Sequence, residues 1–370
     1  MINLKHPFFK EWYSQIQFDD LNRIKVIWDL SIPGFKDRDF RDEVYSHAPV
    51  RLHSLDEKRC CQAVNNVLVY FHPELHDQIR PLLERELELY GHIYAYFLKP
   101  RQAPYAIPFK AIPGHCVQAR ALIHMILNNL DPQVAQYPDE LVTYGGNGQV
   151  FSNWAQVMIT IRYLMCMTDS ERLVMVSGHP QGLVPKLAVS SAGVVITNGL
   201  IVPKDSCVEV YQNAQALSVS MYGQMTAGSW AYIGPQGIVH GTTLTTAAAS
   251  VLHDRFSPSP KGKVFVTSGL GGMSGAQGKA WSGINGGICL VAEVNKRALI
   301  KRHEQGWVDD WFSDGDLLIQ RAIEAKKNKE AVSLAYHGNV VDLLALLVSS
   351  DLKISLISDQ TSCHDLLGGG

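Results

Sequence analysis

The sequence predicts an α/β protein whose C-terminal part is a parallel, doubly wound sheet. Three observations carry this prediction. A β-branched run, Val264-Phe265-Val266-Thr267, enters a stretch dense in glycine, Ser268-Gly269-Leu270-Gly271-Gly272-Met273-Ser274-Gly275. A second apolar run, Ile288-Cys289-Leu290-Val291-Ala292, stops at Glu293. Strand-like and helix-like patterns then alternate along the rest of the chain, which argues for parallel strands covered on both faces.

The first of these junctions has a chemical meaning. Glycines let the backbone turn sharply and come close to a pyrophosphate. A helix starting there turns its free N–H groups and the positive end of its dipole toward the phosphates. An acid about 20 residues further on, at the tip of the next strand, is where a ribose hydroxyl is held. Glu293 stands at that tip, and its charge would repel a 2′-phosphate, so NAD is favoured over NADP. Gly269 and Gly271 fit the spacing G-x-G-x-x-G, whereas Gly275 falls one position late. The alternative is a tight strand-to-helix turn that binds nothing.

The remaining elements follow in order. Residues 1–95 read as a helical N-terminal extension, with apolar residues at helical spacing over 55–71 and 73–99. Tyr90, Tyr94, Tyr96 and Phe97 are expected to pack in that apolar face, and adjacent Cys60 and Cys61 to sit on a helix. Pro100, Pro104, Pro108 and Pro113 mark a connection laid over a surface, followed by a helix over 116–129. Residues 96–232 read as an α/β core portion. Its strands are expected at 141–144, 173–176 and 194–198, with a helix ending near Met167 and a stop at Ser177-Gly178-His179-Pro180. Residues 233–370 form the Rossmann-like domain, with strands at 264–267, 288–292, 331–336 and 354–357 and helices at 276–284, 316–327 and 341–348. Such a fold ordinarily has six strands, so the domain reads as incomplete.

Composition narrows the function classes. The 370 residues suggest two or three domains, and 46% hydrophobic with 18% charged residues predicts an ordinary packed core. A net charge of −2 supplies no field for nucleic acid. No apolar stretch approaches bilayer length, and the N-terminus has no signal-peptide core. Seven cysteines, an odd number without C-x-x-C, fit reduced thiols in the cytoplasm. Fourteen histidines show no metal-ligand spacing, and no metal site is expected.

Three further clusters are polar. Tyr144-Gly145-Gly146-Asn147-Gly148 lies at an expected strand-to-helix junction, where α/β sheets bind ligands. Residues 222–230 are rich in glycine, hydroxyls and one amide, which suits a neutral heterocycle or carboxamide as well as a plain turn. Gln360-Thr361-Ser362-Cys363-His364 reads as a cofactor-lining segment or a loop. A Cys363–His364 nucleophile–base pair is disfavoured, because sequence neighbours rarely face each other.

Four motifs in order resemble the urocanase family, from about residue 120 to residue 365. They are Asn129-Leu130-Asp131-Pro132 with Tyr144-Gly145-Gly146, then residues 221–241, then Gly269–Gln277, and last His337-Gly338-Asn339 with residues 359–364. The helical start and Gly178-His179-Pro180 are similar to the animal-type branch. The resemblance implies NAD contacts at Gly145, Gly146, Gln224, Gly272, Met273, Ser274, Glu293, Asn339, Val340, Gln360, Thr361, Ser362, Cys363 and His364. Ser274 replaces a glycine of the bacterial pattern, and Ala298, next to Arg297, stands where bacterial members carry an arginine.

The family's activity, as the resemblance implies it, is hydration of urocanate to imidazolone propionate in histidine degradation. Tightly bound NAD serves as an electrophile and not as a hydride carrier, and the family is homodimeric. The family's cysteine in a Cys-Arg-Gly setting has no counterpart here, so no catalytic residue is assigned. The expectation is a C-terminally truncated urocanate hydratase, inactive by itself and poorly soluble. A non-catalytic NAD-binding isoform is the alternative. A conventional NAD dehydrogenase fits least, because no acid/base set for hydride transfer accompanies the glycine loop.

Overall fold

The computed structural model describes residues 48, 50–100, 103–135, 137–143, 149–188, 190–197, 205, 207–219, 230, 235–253, 259–271 and 274–359, with the backbone of 16–18 and 25–27. Two compact units reach from Met1 to Ile233 and from Gly234 to Ser362.

In the first unit, two short strands, β1 (Ile16–Phe18) and β2 (Lys25–Ile27), pair antiparallel within the segment expected to be helical. Helix α1 (Glu57–Leu68) starts where the Asp56 carboxylate accepts the Arg59 N–H, and it buries Ala63, Val64, Val67 and Leu68. Cys60 is half-buried on it and Cys61 exposed. Helix α2 (His76–Tyr90) ends at Gly91, whose φ of 69° terminates it in the left-handed region. The aromatic cluster therefore does not ride on one helical face, as the spacing suggested. Tyr94, Tyr96 and Phe97 follow the helix in a turn built around Glu86, whose carboxyl oxygens accept the N–H groups of Tyr94, Ala95 and Tyr96 at 2.8, 2.7 and 2.7 Å.

Helix α3 (Val117–Leu130) is followed by α4 (Trp154–Cys166), which is buried from Trp154 to Met165 and forms the centre of this unit. Over its described residues 141–143, the strand expected at 141–144 is not formed. Leu141 has φ of 56°, and Val142 makes only isolated bridges to Tyr137 and Gln149. The core portion's sheet is mixed, not all-parallel. β3 (Glu171–Val176) pairs antiparallel with β4 (His179–Pro185) and parallel with β5 (Val194–Thr197). The cause is the stop at Ser177-Gly178: both residues are left-handed, φ 46° and 81°, which closes a two-residue hairpin. Helix α5 (Val208–Ala216) follows.

The second unit is a Rossmann-like α/β domain. After helix α6 (Gln236–His253), strand β6 (Val264–Ser268) leads through the glycine loop to α7 (Gln277–Lys279), which widens into a π-helical turn, Ala280–Asn285. Then come β7 (Ile288–Glu293), α8 (Lys296–Glu304), β8 (Asp310–Phe312), α9 (Gly315–Asn328), β9 (Val332–His337), α10 (Val340–Val348) and β10 (Leu356–Ile357). The five strands run in the order β10-β6-β7-β9-β8, and every neighbouring pair is parallel.

Both faces of this sheet are covered. Val264, Val266, Leu290 and Leu334 pack with Leu318, Ala322, Leu343 and Leu347 of α9 and α10. Phe265, Cys289, Val291 and Ala335 pack with Trp281 and Leu299 on the other side. Each fully buried Val, Leu or Phe side chain among them contributes about 1.5–3 kcal/mol relative to exposure, which is why the central strands read as unbroken apolar runs.

Candidate functional site at the carboxyl end of the parallel sheet

The strand order reverses at β6. The chain leaves β6 toward β7, β9 and β8, and α10 then carries it back across to β10 on the other side. The carboxyl ends of β6 and β10 therefore mark a topological switch point, where open α/β sheets take their ligands. Ser268 closes β6 there, and its hydroxyl donates to the Asp359 carboxylate just beyond β10.

The glycine loop leaves Ser268 through Gly269, whose φ of 85° only glycine adopts without cost. Gly269 N–H donates to the Ala292 carbonyl at 2.8 Å, extending the β6–β7 ladder by one residue. The Leu270 side chain is buried, while its N–H donates to Glu293 Oε2 at 2.6 Å. Arg302, from α8, reaches under the loop: Nε donates to the Leu270 carbonyl at 3.2 Å and Nη2 to the Gly271 carbonyl at 3.1 Å. The guanidinium thus draws two loop carbonyls toward the protein, away from any anion seated on the loop.

The glycines have different reasons. A Cβ at Gly275 would stand 2.8 Å from Arg302 Nε and 3.2 Å from the Leu270 carbonyl oxygen. The late third glycine is therefore the one that lets Arg302 through. Gly271 is different: its φ is not left-handed, and a Cβ there would meet nothing within 4 Å. No described contact of the protein demands glycine at 271.

Glu293 is the hub of the site. Oε2 accepts from Leu270, Oε1 accepts the Asn295 N–H at 2.7 Å, and its carbonyl accepts the Gly338 N–H at 3.0 Å. Asn295 in turn caps α8 through the Arg297 and Ala298 N–H groups. Asn339 sits at the tip of β9 as the cap of α10, accepting the Val341 N–H at 2.9 Å, and Val340 begins that helix. Beneath the loop, Thr267 Oγ1 and Gln277 Nε2 belong to residues 1% and 2% exposed and have no hydrogen-bond partner among the described residues.

Of the residues expected from the sequence, Glu293 lies at the carboxyl end of β7, and Asn339 and Val340 follow the carboxyl end of its neighbour β9. Ser274 opens the turn Ser274–Ala276 that precedes α7. Gly145, Gly146, Gln224, Gly272, Met273, Gln360, Thr361, Ser362, Cys363 and His364 lie outside the described residues. Sequence alone does not single out Arg302, because it sits in the basic run Lys301-Arg302-His303 that reads as a solvated helix end. Among the described residues, no group of His, Cys, Asp and Glu could hold a metal ion, and no helix is long and apolar enough to cross a membrane.

A parallel sheet covered on both faces, with a glycine loop at its switch point, defines a Rossmann-like α/β protein. Residues 234–369 match the urocanase Rossmann-like domain, and residues 105–231 match the urocanase N-terminal domain. The chain belongs to the urocanase family. It is 52% identical over 329 residues to human urocanate hydratase and 51% identical over 329 residues to the mouse protein, covering 88% of this chain and 48% of each relative. It is 49% identical over 326 residues to a probable urocanate hydratase of Caenorhabditis elegans, again covering 88% of this chain and 48% of the relative. The chain spans about half the length of the curated relatives it matches.

Proposed function

We propose that this chain carries the NAD-binding part of a urocanate hydratase, and that the cofactor's pyrophosphate and adenosine ribose lie at the carboxyl end of the parallel sheet. The observation that carries this reading is the coupling of Glu293 to the glycine loop through the Leu270 N–H. The acid that would hold a ribose and the loop that would hold a pyrophosphate are thereby locked in one register.

The residues present fit the group. Gly271 leaves its backbone open to a phosphate, and the loop carbonyls are turned toward Arg302. Glu293 keeps lone pairs beyond the two N–H groups it accepts, and these suit ribose hydroxyls. Its charge disfavours a 2′-phosphate. Gly272, Met273 and Ser274 are assigned to the pyrophosphate, Asn339 and Val340 to the mouth beside it, and Gly145, Gly146, Gln224 and Gln360–His364 to the rest of the cofactor. Bound NAD supplies an electrophilic ring. The polar chain around it orients the cofactor and excludes bulk water. The proposed overall reaction adds water to urocanate and gives imidazolone propionate, without net redox change.

The test is an ultraviolet spectrum of the chain with urocanate, with and without NAD, beside an NAD titration. Loss of urocanate absorbance without NADH appearing supports the hydratase reading. Saturable NAD binding without turnover assigns the chain a binding role only. NADH formation, or the absence of NAD binding, overturns the proposal.

A further inference from the structure

The first unit holds a buried histidine whose two ring nitrogens both face main-chain carbonyls. His92 follows Gly91, the left-handed end of α2, and is fully buried. Its Nδ1 lies 2.6 Å from the carbonyl oxygen of Gln215, in the last turn of α5. Its Nε2 lies 2.8 Å from the carbonyl oxygen of Ser152, two residues before α4 begins. A neutral imidazole has one N–H and one bare nitrogen, so it can donate to only one of these oxygens. The imidazolium donates to both.

A second group of Ser152 stands beside the same nitrogen. Its hydroxyl oxygen is 3.4 Å from His92 Nε2, and the residue is buried. A hydroxyl can donate to a bare nitrogen where a carbonyl cannot. No donor among the described residues hydrogen-bonds Nδ1, which has the Gln215 carbonyl as its partner. The neutral ring is therefore best served with its proton on Nδ1. Its bare Nε2 then faces the Ser152 carbonyl, lone pair against lone pair, in a site too buried for water to soften the repulsion. The Ser152 hydroxyl offers the way out.

We propose that His92 and Ser152 form a proton-operated switch immediately before α4. With the ring charged, Nε2–H holds the Ser152 carbonyl. With the ring neutral, that carbonyl is released and the Ser152 hydroxyl donates to Nε2. Nδ1–H holds the Gln215 carbonyl in both states. One proton, taken from water and returned to it, thus exchanges two groups of a single residue, and the peptide unit joining Ser152 to Asn153 turns with it. The surroundings set where the switch works. Burial disfavours the charged ring most and the Arg51 guanidinium adds to this, while the two carbonyls favour it; the balance holds His92 below the ordinary histidine value. Arg51 is itself paired with the Glu140 carboxylate. The Tyr94 ring, tilted toward His92 with centroids 4.5 Å apart, brings no charge, because burial raises its phenol. The neutral state therefore prevails at neutral pH, and the charged state is reached in acid.

The experiment is a pH titration of the purified chain by nitrogen NMR, with isotope label in the histidine rings and the backbone amides. His92 is identified by the ring signals lost in His92→Gln. At neutral pH its proton is expected on Nδ1 alone. On acidification Nε2 takes a second proton, below the ordinary histidine range, while the chain stays folded. The Asn153 amide belongs to the same peptide unit as the Ser152 carbonyl, so its signal should shift with the same midpoint. Ser152→Ala keeps the carbonyl and removes the hydroxyl that serves the neutral ring, so it should move the midpoint upward. A neutral ring with its proton on Nε2, an Asn153 amide that does not follow His92, or a midpoint that Ser152→Ala leaves in place or lowers overturns the switch. So does unfolding before His92 takes its second proton. If Ser152→Ala does not fold, the wild-type ring and the Asn153 amide still decide.

Discussion

Replacing Glu293 by Gln forces the hub of the site to choose between its two amide donors. The carboxylate offers Oε2 to Leu270 at 2.6 Å and Oε1 to Asn295 at 2.7 Å. A carboxamide has one oxygen, so one N–H must face an NH2 group. A hydrogen bond to a charged acceptor is worth about 1.5–3 kcal/mol, and the survivor drops to a neutral bond of about 1 kcal/mol. Glu293 is half-buried, which screens part of this, and a net loss of about 1–3 kcal/mol is expected. One kcal/mol corresponds to a melting shift of roughly 4 °C in a unit of this size, so Glu293→Gln should lower the transition of the 234–362 unit by about 4–11 °C. On the proposed reading, in which Glu293 holds a ribose, NAD affinity should fall further than stability accounts for, by about 10-fold to 100-fold, because the ribose would lose an anionic acceptor while the loop loses its tether. Differential scanning calorimetry and an NAD titration read the two effects separately. A variant with wild-type melting and wild-type NAD affinity would refute the account of Glu293 as the link between loop and ribose.

Three other expectations follow from the same contacts. Gly275→Ala should displace Arg302 from the Leu270 and Gly271 carbonyls, weakening NAD binding about tenfold with a smaller effect on melting; unaltered affinity would count against the role given to Arg302. Glu86 is fully buried, and burial pushes its carboxyl up to about 8 against the pull of three N–H donors. Between pH 4.5 and about 8 the folded chain holds a proton that the unfolded chain has released, so stability should fall as pH rises through that window. Glu86→Gln should flatten that slope in melting curves at about pH 5 and about pH 8, and a slope unchanged by the substitution would remove Glu86 as its cause. Burial also raises the Cys289 thiol, so a thiol reagent should label exposed Cys61 and Cys207 first and reach Cys289 only on unfolding; early labelling of Cys289 would contradict its place in the sheet core.

The central strands are legible in the sequence because burial on both faces leaves a plain chemical trace. β6, β7 and β9 are apolar runs bounded by glycine or an acid, and each lies within a residue or two of its expected place. β8 leaves no such trace: Asp310-Trp311-Phe312 is a three-residue edge strand with polar flanks. Helix α8 escapes sequence reading because only Leu299 of its nine residues is buried, too little to write an amphipathic stripe. Helix α6 escapes it for a related reason, since its glycines, threonines and alanines show no sharp period. The β3–β4 hairpin reads as a stop because Ser177-Gly178 lacks the usual asparagine or aspartate of such turns. At the site, the sequence points to Glu293 but not to Arg302. An acid at the tip of a buried strand, behind a glycine loop, is an unusual place for a charge unless it binds something. A basic residue late in a helix is ordinary, because it complements the helix dipole and is well solvated.

The way Glu293 is held bears on how a nucleotide would be selected. A glutamate free in solvent samples several rotamers, and a ligand that recruits it must freeze them, at a cost of order 1 kcal/mol. Glu293 is already fixed by Leu270 and Asn295 before any ligand arrives. On the proposed reading, the ribose meets a carboxylate that does not have to search. A 2′-phosphorylated nucleotide meets the same charge at a fixed place that cannot swing aside. Discrimination would then be exercised at the encounter itself.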